Sequence, residues 1–161
     1  MVLAAVVKTK GVNDYAVNEL RRFILECGRT SGVIQSDQEP AIRTLCQEVA
    51  TRVGMSTRLS PTYSSRSLGS AERWHAALWA QCRLFKETFK DNYNVRLSVF
   101  SPIMPWIVKH AAWIHNRYQQ HQDGKTSYER RWGRDYGKHI CEFGETVLFH
   151  YSAGIPDKTT T

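Results

Sequence analysis

The sequence predicts an α/β domain. Three observations carry that prediction. Strand-like and helix-like segments alternate along the chain, its 161 residues suffice for one domain with a buried core, and no internal repeat or long linker divides it. Hydrophobic residues make up 42% and charged residues 23%, which excludes a disordered polyelectrolyte. The longest clean apolar run, Val2 to Val7, is too short to span a bilayer and follows no basic segment, so neither a membrane span nor a signal peptide is expected. Cys27, Cys46, Cys82 and Cys141 are far apart, with no C-x-x-C, and read as reduced thiols of an intracellular protein.

Val2 to Lys8 is β-branched and apolar and reads as a buried strand. A helix is expected from about Asn13 to Cys27, with Ala16, Val17, Leu20, Ile24 and Cys27 inward and Gly28 as its stop. Gly32 to Ser36 reads as a short strand that delivers Asp37 at its C-terminal end. Pro40 opens the next helix, whose Ile42, Leu45, Cys46, Val49 and Val53 keep helical spacing up to Gly54. Ser56 to Ser60 is a short extended piece, and Pro61 to Ser70 has the composition of a loop. A long helix follows from about Ser70 to Lys90, with a core stripe of Ala71, Trp74, Leu78, Cys82, Phe85 and Phe89. Another starts near Pro105 with Ile107, His110, Ala111 and Ile114 inward. Thr126 to Glu129 forms a capping box for a short helix ending at Gly133. Thr146 to Tyr151 reads as a strand, and residues 152–161 as a disordered tail.

The net charge of +7 is unevenly placed. Residues 52–90 carry seven basic and two acidic side chains, whereas residues 37–51 carry one basic and three acidic. A polyanion partner, most simply nucleic acid, fits this pattern, and so does an ordinary soluble surface.

Asp37 and Glu72 are the informative pair. Asp37 leaves the end of a strand, where loops of open α/β sheets build ligand sites, and Glu72 lies in the first turn of the long helix. Carboxylates from two such elements can converge on Mg²⁺ or Mn²⁺, and two metals about 3.5–4 Å apart clamp the attacking and leaving oxygens of a phosphodiester. Taken singly, each also reads as a turn, cap or helix-dipole residue. His110 and His115 are five apart and do not share a helix face well. His139 and Cys141 have no second pair, so no zinc site is expected. There is no G-x-S-x-G, P-loop or G-x-G-x-x-G.

The segment Ile34-Gln35-Ser36-Asp37-Gln38-Glu39-Pro40-Ala41-Ile42 resembles the second-aspartate motif of retroviral and LTR-retrotransposon integrases. Ser60-Pro61-Thr62-Tyr63 followed by Gly69-Ser70-Ala71-Glu72-Arg73 resembles their glutamate motif, 35 positions on. Asn116, Gly124 to Glu129 and Gly133 are similar to the segment closing that catalytic domain. Gly144 to Phe149 is similar to the start of the small β module after it. Leu68, Ala76 and Trp79 depart from the family pattern.

This resemblance implies a ribonuclease H-like three-layer fold, a mixed sheet with helices on both faces, lacking its first two strands. Residues 1–140 would be a partial catalytic core, 141–151 the start of the β module and 152–161 a tail. It implies Mg²⁺- or Mn²⁺-dependent polynucleotidyl transfer in the full-length protein, with Asp37 and Glu72 as catalytic metal ligands. Arg58, Tyr63, Arg66, Arg73, Arg83 and Lys86 would contact nucleic acid. DNA is the implied partner, with a possible homo-oligomer and a nuclear location. The family's bridging aspartate has no counterpart, since Asp14 falls at a helix start, so the chain is expected to be N-terminally truncated and inactive alone. The alternative is a non-catalytic DNA-binding or assembly module, or a decayed gene fragment.

Overall fold

A short parallel sheet and a set of helices form where the sequence offers both apolar periodicity and end signals. The computed structural model describes residues 1–61 and 69–148. Among them the order is α1 (Asp14–Glu26), β1 (Val33–Ser36), α2 (Pro40–Val53), β2 (Ser56–Leu59), α3 (Gly69–Tyr93), α4 (Met104–Tyr118) and α5 (Ser127–Trp132). Asn13 caps α1 by accepting the Ala16 N–H at 2.8 Å, and Thr126 caps α5 by accepting that of Glu129 at 3.1 Å. Gly54 and Gly133 end α2 and α5 in the left-handed conformation that glycine adopts without strain.

β1 and β2 pair in parallel, Val33 opposite Ser56 and Ser36 opposite Leu59. Parallel strands need a crossover, and α2 provides it, packing on both. Two apolar clusters result. Ala16 and Val17 of α1 meet Leu45 and Val49 of α2, with Leu20, Ile24 and Ile34 against them. Cys82 of α3 meets Ile107 and Ala111 of α4, with Leu78, Phe85 and Phe143 around them. α3 packs on α4 and on no other element among those described. That is why Cys82 alone of its predicted core stripe is fully buried, while Ala71 stays exposed.

Polar links join the clusters. The Glu19 side chain, only 10% exposed, sits 2.6 Å from Arg22 and 3.0 Å from Lys109 of α4. The Lys109 contact is an ion pair lying off a hydrogen-bond direction. Asn116, buried in α4, accepts the Val2 N–H at 2.7 Å and donates to the Val2 carbonyl at 2.8 Å. Arg131 Nε donates to the Glu26 carbonyl at 2.7 Å.

This architecture corrects the expected fold class. The described residues are mostly helical, and their sheet has two parallel strands, not the mixed, three-layer ribonuclease H-like sheet. Val2 to Lys8 forms no strand. A strand exists only through a neighbouring ladder, and here the side-chain amide of Asn116 satisfies the Val2 backbone in its place. Residues 146–148 form no strand either, and the rest of that predicted strand lies outside the described residues, as do the tail and most of the loop predicted over Pro61 to Ser70.

Candidate nucleic-acid interface

The C-terminal edge of the parallel pair is a fixed polar platform. Gln35 Nε2 donates to Ser60 Oγ at 3.0 Å, Gln38 Nε2 donates to the Ser60 carbonyl at 3.1 Å, and the Ser60 N–H donates to the Ser36 carbonyl at 2.8 Å. Arg58 donates to Gln35 Oε1 at 2.5 Å, so its guanidinium lies along this edge. Asp37 follows β1 directly and is exposed. One of its oxygens accepts the Glu39 N–H at 3.1 Å, a local turn bond. Beneath it burial pushes the Cys46 thiol up, against a hydrogen bond from Ser36 and with a smaller push from the Asp37 carboxylate. Cys27 and Cys82 are likewise raised by burial, and all four cysteines are free.

α3 presents the second part. Glu72 is exposed in its first turn, and its carboxylate has no hydrogen-bond or ion-pair partner among the described residues. At about 100° per residue, Glu72, Ala76, Trp79, Arg83, Lys86 and Lys90 share one face, while the Cys82 side faces α4. From Glu72 to Lys86 that face runs about 20 Å at about 1.5 Å per residue. Trp79, in its middle, is 60% exposed and belongs to neither apolar cluster of the described residues. Arg73 and Arg83 are exposed. Lys86 is half-buried and lines an open groove with Glu87, Lys90, Arg96 and Leu97.

Two of these residues, Lys90 and Arg96, were not among the candidates from sequence, although Lys90 lies one turn past Lys86 and the spacing marks it. Tyr63 and Arg66 lie outside the described residues. No hydrogen bond or ion pair joins Asp37 to Glu72, and α3 does not pack on β1 or α2. Among the described residues, no group of three or more His, Cys, Asp or Glu side chains converges as a metal cage. Each of Asp37 and Glu72 presents an exposed carboxylate of the oxygen type that hard divalent cations take, and neither belongs to a group of three or more such side chains among the described residues. His110 and His115 are packed among rings, His115 against Trp74 at 4.4 Å and His110 parallel to Trp113 at 5.7 Å, and neither belongs to a ligand cluster. No helix among the described residues is long and apolar enough to cross a membrane.

No protein-family model matches this sequence, and no curated protein matches it. Among solved structures, it is similar to a chain in the cryo-EM structure of the simian T-cell lymphotropic virus intasome in complex with the PP2A regulatory subunit B56 gamma. The TM-score is 0.57 at 21% identity, over 89% of this chain and 48% of that one. The likeness is one of fold, and the chain spans about half the length of that neighbour.

Proposed function

We propose that this chain is a nucleic-acid-binding segment of an integrase-related protein, acting in metal-dependent strand transfer as part of a longer assembly. The observation that carries the reading is the likeness of 89% of the chain to a chain of a retroviral intasome complex. The geometry supports it through α3, where Arg83, Lys86 and Lys90 follow Glu72 along one face at a spacing suited to successive phosphates, with Trp79 among them. In this reading Arg58 and Arg73 add phosphate contacts, and DNA in the nucleus is the substrate. Asp37 and Glu72 supply two carboxylates to Mg²⁺ or Mn²⁺, which would polarise the scissile phosphodiester once a third ligand completes the site.

Two measurements test it. Anisotropy of a fluorescein-labelled 20-bp duplex should show affinity falling steeply with salt. Arg73→Ala, Arg83→Ala and Lys86→Ala together should reduce the slope of log K against log[salt] by as much as about 3. A slope that the triple variant leaves unchanged overturns the α3 reading. In a longer form of the protein that supplies the third ligand, Mn²⁺-dependent nicking or strand transfer that disappears in Asp37→Asn and in Glu72→Gln supports the catalytic part. A second reading, a non-catalytic DNA-binding or assembly module that pairs with another copy of itself, is favoured by the exposed Trp79. Salt-dependent binding without metal-dependent chemistry, in an assembly disrupted by Trp79→Ala, would select it.

A further inference from the structure

Where the Arg131 side chain of α5 reaches the end of α1, the surface carries a concentration of arginine that the α3 reading leaves unused. An open cleft of about 330 Å³ is lined there by Cys27, Arg29, His121, Ser127, Arg130 and Arg131, together with Met1. Among the described residues no carboxylate lines it, although Asp123 pairs with Arg130, and no residue of β1, α2, β2, α3 or α4 does.

Each arginine is placed differently. Arg131 is fixed: its Nε donates to the Glu26 carbonyl at 2.7 Å, at the negative end of the α1 dipole. Its guanidinium lies directly on Gly28, where a Cβ would come within 2.6 Å of Nη2. Gly28 also has φ +68°, so only glycine leaves that space without strain. Arg130 is held by Asp123, Nε at 3.1 Å and Nη2 at 2.8 Å from its two oxygens, and this holds the Asp123 carboxyl down at about 2. Arg29 is exposed and has no ion-pair partner among the described residues. Ser127 Oγ and His121 Nε2 are 2.9 Å apart and add polar groups beside them.

Helix capping explains the Nε of Arg131 alone. It leaves both Nη groups, and it accounts for neither Arg29 nor the absence of a carboxylate in the cleft. Beside the cleft the Arg131 guanidinium lies over the Trp132 ring, 4.5 Å from its centre, Tyr128 packs tilted against the same indole at 6.2 Å, and that indole is 46% exposed. A preorganised arginine fork stacked on a partly exposed indole, with the rest of that indole's surface in solvent, matches the two parts of an unpaired nucleotide, its phosphate and its base.

We propose that this cleft binds single-stranded nucleic acid, with a backbone phosphate held by Arg29 and Arg131 and the adjoining base stacked on Trp132. It extends the nucleic-acid reading given above but uses none of the residues on which that reading rests. The paired bases of a duplex have no free face to offer Trp132, so the site distinguishes an unpaired end or overhang from duplex.

The test is anisotropy of fluorescein-labelled dT20 and of a 20-bp duplex on the full chain. We expect Trp132→Ala to weaken dT20 binding roughly 5- to 100-fold while changing duplex binding little, and Trp132→Phe to restore much of it. Arg29→Ala should reduce the dT20 salt slope by about 1, and Arg29→Lys should recover it. Both side chains are exposed, and unchanged circular dichroism confirms an intact fold. dT20 affinity and slope unchanged in both variants would overturn the proposal, as would equal losses on duplex and single strand. If Arg83→Ala with Lys86→Ala abolishes binding while the cleft variants do not, the cleft proposal fails and the α3 reading stands. If the cleft variants reduce dT20 binding while Arg83→Ala with Lys86→Ala leaves duplex affinity and salt slope unchanged, the cleft proposal stands and the α3 reading fails.

Discussion

Asn116→Ala removes a tether between residues far apart in the chain. The Asn116 amide makes two hydrogen bonds to one residue, accepting from the Val2 N–H at 2.7 Å and donating to the Val2 carbonyl at 2.8 Å, across 114 positions. Each such bond contributes about 0.5–1.5 kcal/mol net, so losing both should cost about 1–3 kcal/mol. For a chain of this size about 1 kcal/mol moves Tm by roughly 2–4 °C, which gives an expected fall of about 2–12 °C. Thermal melts followed at 222 nm, with urea titrations for the free energy, measure it directly. Hydrogen exchange at the Val2 amide should accelerate in the same variant. If that amide becomes unprotected while Tm stays put, residues 2–7 detach without global consequence, and the claim that the tether supports the fold is refuted. An unchanged amide would refute the hydrogen bond itself.

Ile107 is wholly buried at the centre of the α3–α4 cluster, so Ile107→Ala should cost about 2–5 kcal/mol, seen as a lower urea midpoint at unchanged m. His110 and His115 should make the fold acid-sensitive. Burial pushes both below the ordinary 6.5, with the His121 charge a smaller push on His115. The unfolded chain therefore binds more protons, and stability present above about 6.5 is lost as pH falls from there through the folded values. Tm should fall between pH 8 and pH 5 and fall less in His110→Phe. A Tm that rises on acidification would contradict the argument.

Helix ends were legible because their chemistry is local. Thr126, Gly54 and Gly133 carry cap geometry in their own side chains or φ angles and act as the sequence suggests, and the α1 cap is Asn13, where the helix was expected to start. The placement of Asp37 after β1 and of Glu72 in the first turn of α3 was equally readable, since both follow from where an apolar period begins or stops. The sheet was not. β-branched composition marks Val2 to Val7 as able to enter a ladder, but says nothing about whether a partner strand lies beside it. The arginine cleft was missed for a related reason. Arg29 and Arg131 are over a hundred positions apart, and only the reach of the Arg131 side chain from α5 to the end of α1 brings them together. A charge count by segment cannot see that.

The same reasoning bears on whether Asp37 and Glu72 act together. Asp37 belongs to the half built on the α1–α2 cluster, and Glu72 to the half built on α3 and α4. Among the described residues, the ion pair of Glu19 with Lys109, the Arg131–Glu26 contact and the Asn116 tether tie these halves together. Lys109→Met removes the cation that α4 offers to a carboxylate already 90% shielded, leaving Glu19 with Arg22 alone. The substitution touches neither candidate ligand. If one divalent ion is shared between Asp37 and Glu72, loosening this seam should weaken Mn²⁺ binding by about 2- to 30-fold, or about 0.5–2 kcal/mol. The same substitution made in an Asp37→Asn background should then cost nothing further, because the shared ligand is already gone. Mn²⁺ titration followed by electron paramagnetic resonance on the four proteins of that cycle reads the coupling. Equal losses from Lys109→Met in both backgrounds would show that Asp37 and Glu72 do not share an ion. They would then be two separate surface carboxylates, and only the DNA-binding half of the proposed function would survive.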